Sequence, residues 1–531
     1  MNLVTPDHAR YEPQGRSADR PVDLLVVGGG INGVGVARDA AGRGLSVILC
    51  EKGDLGEGTS SRSGKYIHGG LRYLEYYEFR LVREALNERE VVLEAAPHLA
   101  WPLQLVLPHS PEQRPRWLIR LGLFLYDNLG GRKRVPRSCA LDLSRTIAGE
   151  RLKDKYKKGF SYWDVWIDDA RLVVLNAVDA ARRGAEVFTR TPCVSARREG
   201  DVWRAELRGS QSGAPSTVFA KAIFNAAGPW VEKVIGEVAG VNSRMRVRLV
   251  KGSHIVLPKW WQGDHGYVLQ APDKRLIFVN PYFDDMALIG TTDIPFDGKA
   301  EDVAIDKSEV DYLLGILGNY FDHAFKADDV LFDYSGVRPL FDDDANKSAS
   351  AVTRDYQFEL DGSLEPDAQS PPLLSAFGGK LTTYRKLSEH ALQMLAPYFP
   401  EMAGPWTAQT PLPGGDLPDK QFETWFTGFK KRYAFLPEAL LRHLGHCYGT
   451  DAVRLLDGVN ELSDLGHHFG HCFFEREAVW LIENEWAESA EDILLRRTKH
   501  GLFLTRQEKS DFETWLEERP TLHEPVSRLA E

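Results

Sequence analysis

Three features of the chain predict its fold class. A glycine turn joins two apolar strands near the N-terminus, an alternating strand pattern fills residues 245–340, and an almost unbroken helical pattern runs on to about residue 519. Together they predict an α/β plus α architecture. A Rossmann-like domain is interleaved with an antiparallel-sheet domain, and a C-terminal helical domain follows. In residue terms, 1–20 form a disordered lead and 21–411 hold the interleaved pair, with the antiparallel part mainly at about 100–160 and 245–345. Residues 412–531 form the helical domain.

The organising stretch is DLLVVGGGINGVGVARDAAGRGLSVILCE, residues 23–51. The branched apolar run 24–27 reads as a strand buried on both faces. Gly28, Gly30 and Gly33 follow at GxGxxG spacing. The first permits a tight turn, the second a close backbone approach to a pyrophosphate, and the third close packing of the next helix. A helix from about 32 to 42 then aims its amide end at the phosphates. A second strand, 46–50, ends in Glu51, placed to accept hydrogen bonds from a ribose.

Composition narrows the class. With 531 residues there is enough chain for at least two domains and a large core. A formal net charge of −11 argues against nucleic acid as a partner. Five scattered cysteines without a CxxC argue against a disulfide framework or an iron–sulfur cluster. No run of about 18 apolar residues predicts a transmembrane helix.

Residues 53–70, rich in Gly and Ser, read as a loop and helix start wrapped around a ligand. Ser60 and Ser61 can donate to phosphate oxygens there, and Lys65 and His68 can reach a ring or its phosphates; a solvated loop is the alternative. Residues 77–96 read as an amphipathic surface helix. In 101–145, Trp117, Leu118, Leu121, Phe124 and Leu125 form one apolar face among Arg114, Arg116, Arg120, Arg132, Lys133 and Arg134. Such a helix either lies in a membrane interface or is buried in the second domain.

Strand and helix follow at 159–184, then strands through 209, with the segment 191–195, including Val194, expected beside an adenine. The strand 222–225 leads into Ala227, Gly228 and a helix-starting Pro229, small residues that let a cofactor approach. The first sheet is thus left near residue 60 and revisited here. Segments 245–340 continue the antiparallel pattern through DVLFDYSGVRPLF and SAVTRDYQFELDG. Gly378 and Gly379 precede Lys380, Leu381 and Thr382 at a third helix start aimed at an anion. Residues 412–418 read as a linker. The clusters His467, His468, His471, Cys472 and His443, His446, Cys447 match no ligand spacing well, so no metal site is expected.

The stretches GGGINGVGVARDAAGRGLSV, TSSRSGKYIHGGLRYLEYYEFRLVREAL, LVKGSHIV, IGTTD, YSGVRPL, TRDY and FGGKLTTYRK together resemble the FAD-dependent, aerobic respiratory glycerol-3-phosphate dehydrogenases. The likeness runs from about residue 22 onward. Two positions depart from it: Gly64 and Tyr66 stand where the pattern TSSxSSKLIHGG has Ser and Leu.

The resemblance implies an FAD-binding domain with a substrate domain. It also implies oxidation of sn-glycerol 3-phosphate to dihydroxyacetone phosphate, and delivery of electrons to a membrane quinone from the cytoplasmic face of the inner membrane. A homodimer is among the expectations. A doubly charged phosphate needs several cations, for which Arg338, Arg354 and Lys380 are the candidates. Lys380 would touch both the substrate and the flavin. His254 is the candidate base, with a structural histidine as the alternative. Arg72 and Tyr73, after His68, Gly69 and Gly70, are expected to face the pocket. Composition and spacing alone imply only a flavin or nicotinamide oxidoreductase, and a single GxGxxG argues against the latter. The alternatives are an oxidase using oxygen and a non-catalytic FAD-binding sensor, which would lack the cationic residues.

Overall fold

The computed structural model describes residues 17–131, 134–209, 215–283, 285–341, 355–365 and 370–519. Most of the polar lead therefore lies outside the described residues, as do Arg132, Lys133 and Arg354.

Two large sheets share the chain. In the first, Val22–Val27 lies at the centre, parallel to Pro215–Asn225 on one side and Val47–Cys50 on the other. Ser370–Phe377 and Glu186–Phe188 extend it, also parallel. Leu24, Leu25 and Val26 are fully buried, which is why this strand reads as a continuous apolar run rather than an alternating one. Burial of each such side chain stabilises by roughly 1.5–3 kcal/mol. The helix Ile31–Gly42 packs under Asp169–Arg182 and Tyr384–Leu395, so three distant segments cover the same face.

The second sheet is mostly antiparallel. Val247–Pro258 pairs with Met286–Gly290 and with Phe332–Phe341. The sheet continues through Leu276–Tyr282, Gly266–Gln270, Ala100–His109 and Lys158–Ile167 to Tyr66–Ile67. The chain leaves the first sheet for Tyr66–Ile67, returns at Glu186–Phe188, leaves again at Val247–Pro258, and comes back at Gln357–Ser363. The fold is the interleaved α/β plus α class expected from the sequence.

Four local expectations need correction. Residues 53–70 hold the expected loop and a short helix, Thr59–Ser61, but also the edge strand Tyr66–Ile67, which was not expected. Gln357–Ser363 joins the first sheet, antiparallel to Ser370–Phe377, not the second; the alternating pattern fits either edge. The helix Lys307–Tyr320 was missed inside the strand-rich middle, although its start is signalled by Asp306 and Glu309, which cap each other. The 412–418 stretch is no free linker. Leu412 and Leu417 are buried, and the Leu412 N–H donates to the Ala95 carbonyl at 2.9 Å.

The C-terminal unit packs its own core around Phe426, Leu441, Tyr448, Phe473 and Phe512, on helices Phe422–Arg432, Glu438–Tyr448, Glu475–Asn484 and Arg506–Glu518 plus a small hairpin. A buried ionic layer fixes it to the first sheet's domain. Arg496 Nε donates to Asp54 at 2.5 Å, and Arg497 binds both Asp54 and the Glu485 carbonyl. Arg171, fully buried, pairs with Glu485 and donates to the Cys447 carbonyl. Asp54 lies three residues past Glu51, so the helical unit braces the loop that follows the second strand.

Candidate active site

The glycine turn is built for contact, not only for turning. Gly28 has φ +113°, and a Cβ there would come within 2.6 Å of the Ala226 carbonyl oxygen. A Cβ on Gly33 would overlap the Gly28 carbonyl. The small Ala226–Gly228 segment is thereby drawn against the turn, held by the Ala226 N–H donating to the Val27 carbonyl at 2.8 Å. Glu51 accepts from the Gly29 N–H at 2.6 Å and the Gly53 N–H at 2.8 Å. Burial pushes its carboxyl up, while those two amides work to keep it ionised. Thr191 N–H donates to the Glu51 carbonyl at 2.7 Å, and Val194 sits at the register shift between Cys193 and Ser195. The Thr191 bond thus ties the segment that carries Val194 to the end of the second strand.

At the phosphate end, Ser60 Oγ accepts from the Ile31 N–H at 3.0 Å, on the first turn of the helix. Asn32 donates to the Gly378 carbonyl at 3.2 Å and leaves its own Oδ1 buried without a hydrogen-bond partner. Gly378 and Gly379, both with positive φ, are thus tied directly to the glycine turn. Leu381 and Thr382 follow, and Thr382 Oγ1 accepts from the His68 N–H at 3.2 Å. The Gly69 N–H donates to the Tyr126 hydroxyl at 2.8 Å. Gly70 takes φ +73° and turns the chain into Leu71–Tyr76, which carries Arg72 and Tyr73. Lys380 Nζ stands 4.0 Å from the centre of the Tyr73 ring, a cation–π contact.

Lys65 is placed differently from the sequence reading. Its ammonium is buried against Asp169 Oδ1 at 2.7 Å and donates to the Ser61 carbonyl at 2.9 Å. Burial lowers its pKa, with Asp169 opposing. The charge is neutralised inside the protein instead of being offered to a phosphate.

The second sheet supplies the other half. His254 lies opposite Tyr334, and Val250 opposite Arg338, in the pairing of Val247–Pro258 with Phe332–Phe341. Tyr334 and Arg338 are four residues apart on one strand, so both side chains project from the same face as His254. His254 is only 4% exposed. Burial first, then the charges of Arg338 and Lys65, push its pKa well below the ordinary value. It is a neutral imidazole near pH 7, and its Nδ1 has no hydrogen-bond partner. Arg338 donates to Asp293 at 3.2 Å, Thr291 Oγ1 at 3.1 Å and the Thr292 carbonyl at 3.2 Å.

The two halves are laced together. Thr59 Oγ1 donates to the Val337 carbonyl at 2.6 Å, Arg62 to the Ser335 carbonyl at 3.2 Å, and the Tyr334 hydroxyl to the Ser63 carbonyl at 2.7 Å. A Cβ on Gly378 would be 3.6 Å from the Pro339 carbonyl. The strand bearing Arg338 therefore runs between the loop after Glu51 and the Gly378 turn. Arg354 lies outside the described residues. Tyr334, Asn32 and Asp169 are participants that sequence reasoning missed. Tyr334 had a usable signal, being four residues before Arg338 on a strand.

A nucleotide cradle laced to the strand pair that carries a buried histidine and Arg338 defines a dinucleotide-dependent oxidoreductase. Residues 23–385 match the family model of the FAD dependent oxidoreductases, and 405–513 match the C-terminal domain of alpha-glycerophosphate oxidase. The chain belongs to the FAD dependent oxidoreductase family. It is 55% identical over 495 residues to D-erythritol 1-phosphate dehydrogenase of Brucella abortus (strain 2308), covering 93% of this chain and 97% of that one. It is 47% identical over 496 residues to aerobic glycerol-3-phosphate dehydrogenase of Escherichia coli (strain K12), with the same coverage of 93% and 97%. The fold is similar to the X-ray structure of the glycerol-3-phosphate dehydrogenase from Bacillus halodurans complexed with FAD. The TM-score there is 0.72, at 26% identity and 94% of each chain.

The residues present fit FAD. The glycines let the turn press against Ala226 and bring Ser60 to the first amides of Ile31–Gly42, donors that suit a pyrophosphate, while the buried Asn32 Oδ1 is an acceptor that a cofactor hydroxyl could satisfy. Gly28, Gly30, Gly33 and Ser60 would hold the pyrophosphate, with Asn32 beside it. Glu51 and Val194 would take the adenosine end, and the 65–70 and 378–382 turns the ring.

Proposed function

We propose that this protein oxidises a polyol phosphate at a secondary alcohol, with sn-glycerol 3-phosphate giving dihydroxyacetone phosphate as the first substrate. Bound FAD supplies the acceptor for the hydride leaving the carbinol carbon. His254 takes the hydroxyl proton on its unprotonated nitrogen, in the form that burial maintains. Arg338, Arg354 and Lys380 bind the phosphate, and Lys380 also borders the ring. Arg72 and Tyr73 close the pocket, Tyr73 by holding the Lys380 ammonium against its face. The observation that carries this reading is the placement of His254 and Arg338 on one face of one sheet, beside the loop that leaves the nucleotide cradle.

D-erythritol 1-phosphate is the second substrate reading, favoured by the 55% identity to an enzyme of that name. Dye-linked oxidation without air, with the ketone product identified for both compounds, tests the pair. A fast oxygen reaction yielding peroxide would make the protein an oxidase instead of a quinone-linked dehydrogenase.

We further propose attachment to the cytoplasmic face of the inner membrane, where quinone is reached. Among the described residues no helix is long and apolar enough to cross a membrane. On Arg116–Leu129, however, Trp117, Leu121 and Phe124 are exposed while Leu123 and Tyr126 are buried. The helix thus has an outward apolar stripe flanked by Arg116 and Arg120, which favours the interfacial reading over the buried one. Arg114 pairs with Glu75 at 3.1 Å, bringing exposed Tyr76, Tyr77 and Phe79 to the same side. A homodimer stays within the proposal, to be read from solution mass.

A further inference from the structure

We propose that Gly64 sets how long a polyol chain the site accepts, leaving room beside His254 for one more carbinol carbon than glycerol 3-phosphate has. This rests on the polyol-phosphate reading above. A carboxylate pins both neighbours of Gly64. Asp169 accepts from the Ser63 N–H at 3.1 Å, from Ser63 Oγ at 2.7 Å and from Lys65 Nζ at 2.7 Å. The Ile167 N–H donates to the Lys65 carbonyl at 3.0 Å, and the Tyr334 hydroxyl holds the Ser63 carbonyl. Residue 64 therefore cannot drift; only its side chain is a variable.

That side chain would face the candidate base. A Cβ on Gly64 would stand 3.5 Å from His254 Nε2 and 3.7 Å from Tyr66 Cδ2, ordinary contact distances. Gly64 is not among the glycines with positive φ. Neither the backbone nor crowding demands glycine here, so what the residue contributes is missing atoms next to Nε2. The wall behind is fixed: the Tyr66 hydroxyl bonds Asn280, and its ring meets Phe278 with centres 5.1 Å apart. Gly64 and Tyr66 are also the two places where the sequence leaves the TSSxSSKLIHGG pattern. With the phosphate fixed by the cations and the reacting hydroxyl at His254, the carbon beyond the reacting one is the end of the substrate free to reach this gap. A four-carbon polyol 1-phosphate fills it, whereas a serine side chain would fill it from the protein.

The test compares Gly64→Ser and Gly64→Ala with the wild-type holoenzyme, using D-erythritol 1-phosphate and sn-glycerol 3-phosphate. One small group in a fitted pocket is worth about tenfold or more in kcat/KM. Both variants should lower the four-carbon over three-carbon ratio by about that factor, Ser more than Ala, with FAD content kept. An unchanged ratio, or an equal fall for both compounds, overturns the proposal. Loss of FAD in Gly64→Ala assigns the gap to the cofactor and also overturns it. Wild-type protein inactive on both compounds would overturn the polyol-phosphate reading itself, a result distinct from an unchanged ratio.

Discussion

The imidazole of His254 lies against the ring of Tyr334, with ring centres 4.8 Å apart and planes 17° apart. Tyr334 also bonds the loop that leaves the nucleotide cradle, so this one stack sets the imidazole relative to that loop. Tyr334→Phe keeps the stack but loses the hydroxyl's bond to Ser63. We expect a modest fall in kcat, severalfold, whereas Tyr334→Ala should fall much further. Equal losses in steady-state kinetics would show that stacking contributes nothing.

Arg338 offers a planar fork that lysine cannot reproduce. Arg338→Lys should raise the KM for the phosphorylated substrate about tenfold to a hundredfold, the worth of charge-assisted hydrogen bonds. An unchanged KM would remove Arg338 from the phosphate site and leave it as the partner of Asp293.

Asp54 is fully buried between Arg496 and Arg497. Arg496 keeps Asp492 and Glu491, but Asp54→Ala would take the paired carboxylate from buried Arg497, at a cost of about 3–5 kcal/mol. Because Asp54 follows Glu51 so closely, FAD retention on dilution should drop along with the melting temperature. Loss of stability with unaltered FAD retention would show that the ionic layer only joins the two units.

His98 is fully buried, with neither ring nitrogen hydrogen-bonded. Burial, then Arg171 and His446, lower its pKa to about 3. Burial likewise brings His446 and His500 to about 4. Each contributes stability above the unfolded value of 6.5 that is lost as pH falls through it, at about 1.4 kcal/mol per pH unit per histidine. His443 has the opposite sign. Burial works against its charge, but Cys447 and Glu477 hold its pKa well above the ordinary value. Its contribution is therefore complete below 6.5 and is lost as pH rises through the folded value. The carboxylate of Glu477 takes hydrogen bonds from His443 at 2.7 Å and His500 at 2.9 Å, the one histidine–carboxylate group that converges among the described residues. His98→Phe should reduce the drop in melting temperature between pH 7 and pH 5; an identical drop would contradict the assignment.

Replacing Trp117, Leu121 and Phe124 with serine should abolish pelleting with anionic lipid vesicles while leaving dye-linked turnover intact, because all three point outward. Retained pelleting would place the membrane contact elsewhere.

Local signals carried much of the outcome into the sequence. The glycine turn, the terminal Glu51 and the apolar strands are close in the chain, and their spacing states what they do. The pairing of His254 with the strand of Arg338 was readable only through resemblance, because sheet pairing joins them across about eighty residues. The fate of Lys65 was illegible: nothing near it in the chain announces Asp169, 104 residues on. The Lys307–Tyr320 helix had a legible cap that strand-rich surroundings obscured. The packing of 412–418 was hidden because Pro and Gly mark tight fits as often as free linkers.

The most direct test is an absorbance spectrum of the purified protein, wild type and His254→Ala, before and after adding sn-glycerol 3-phosphate without air. Wild type should show the yellow flavin band and lose it, and His254→Ala should show the same band and bleach about a hundredfold or more slowly. Bleaching of the variant at the wild-type rate, or a wild type whose band persists with both polyol phosphates, would contradict the assignment of this pocket.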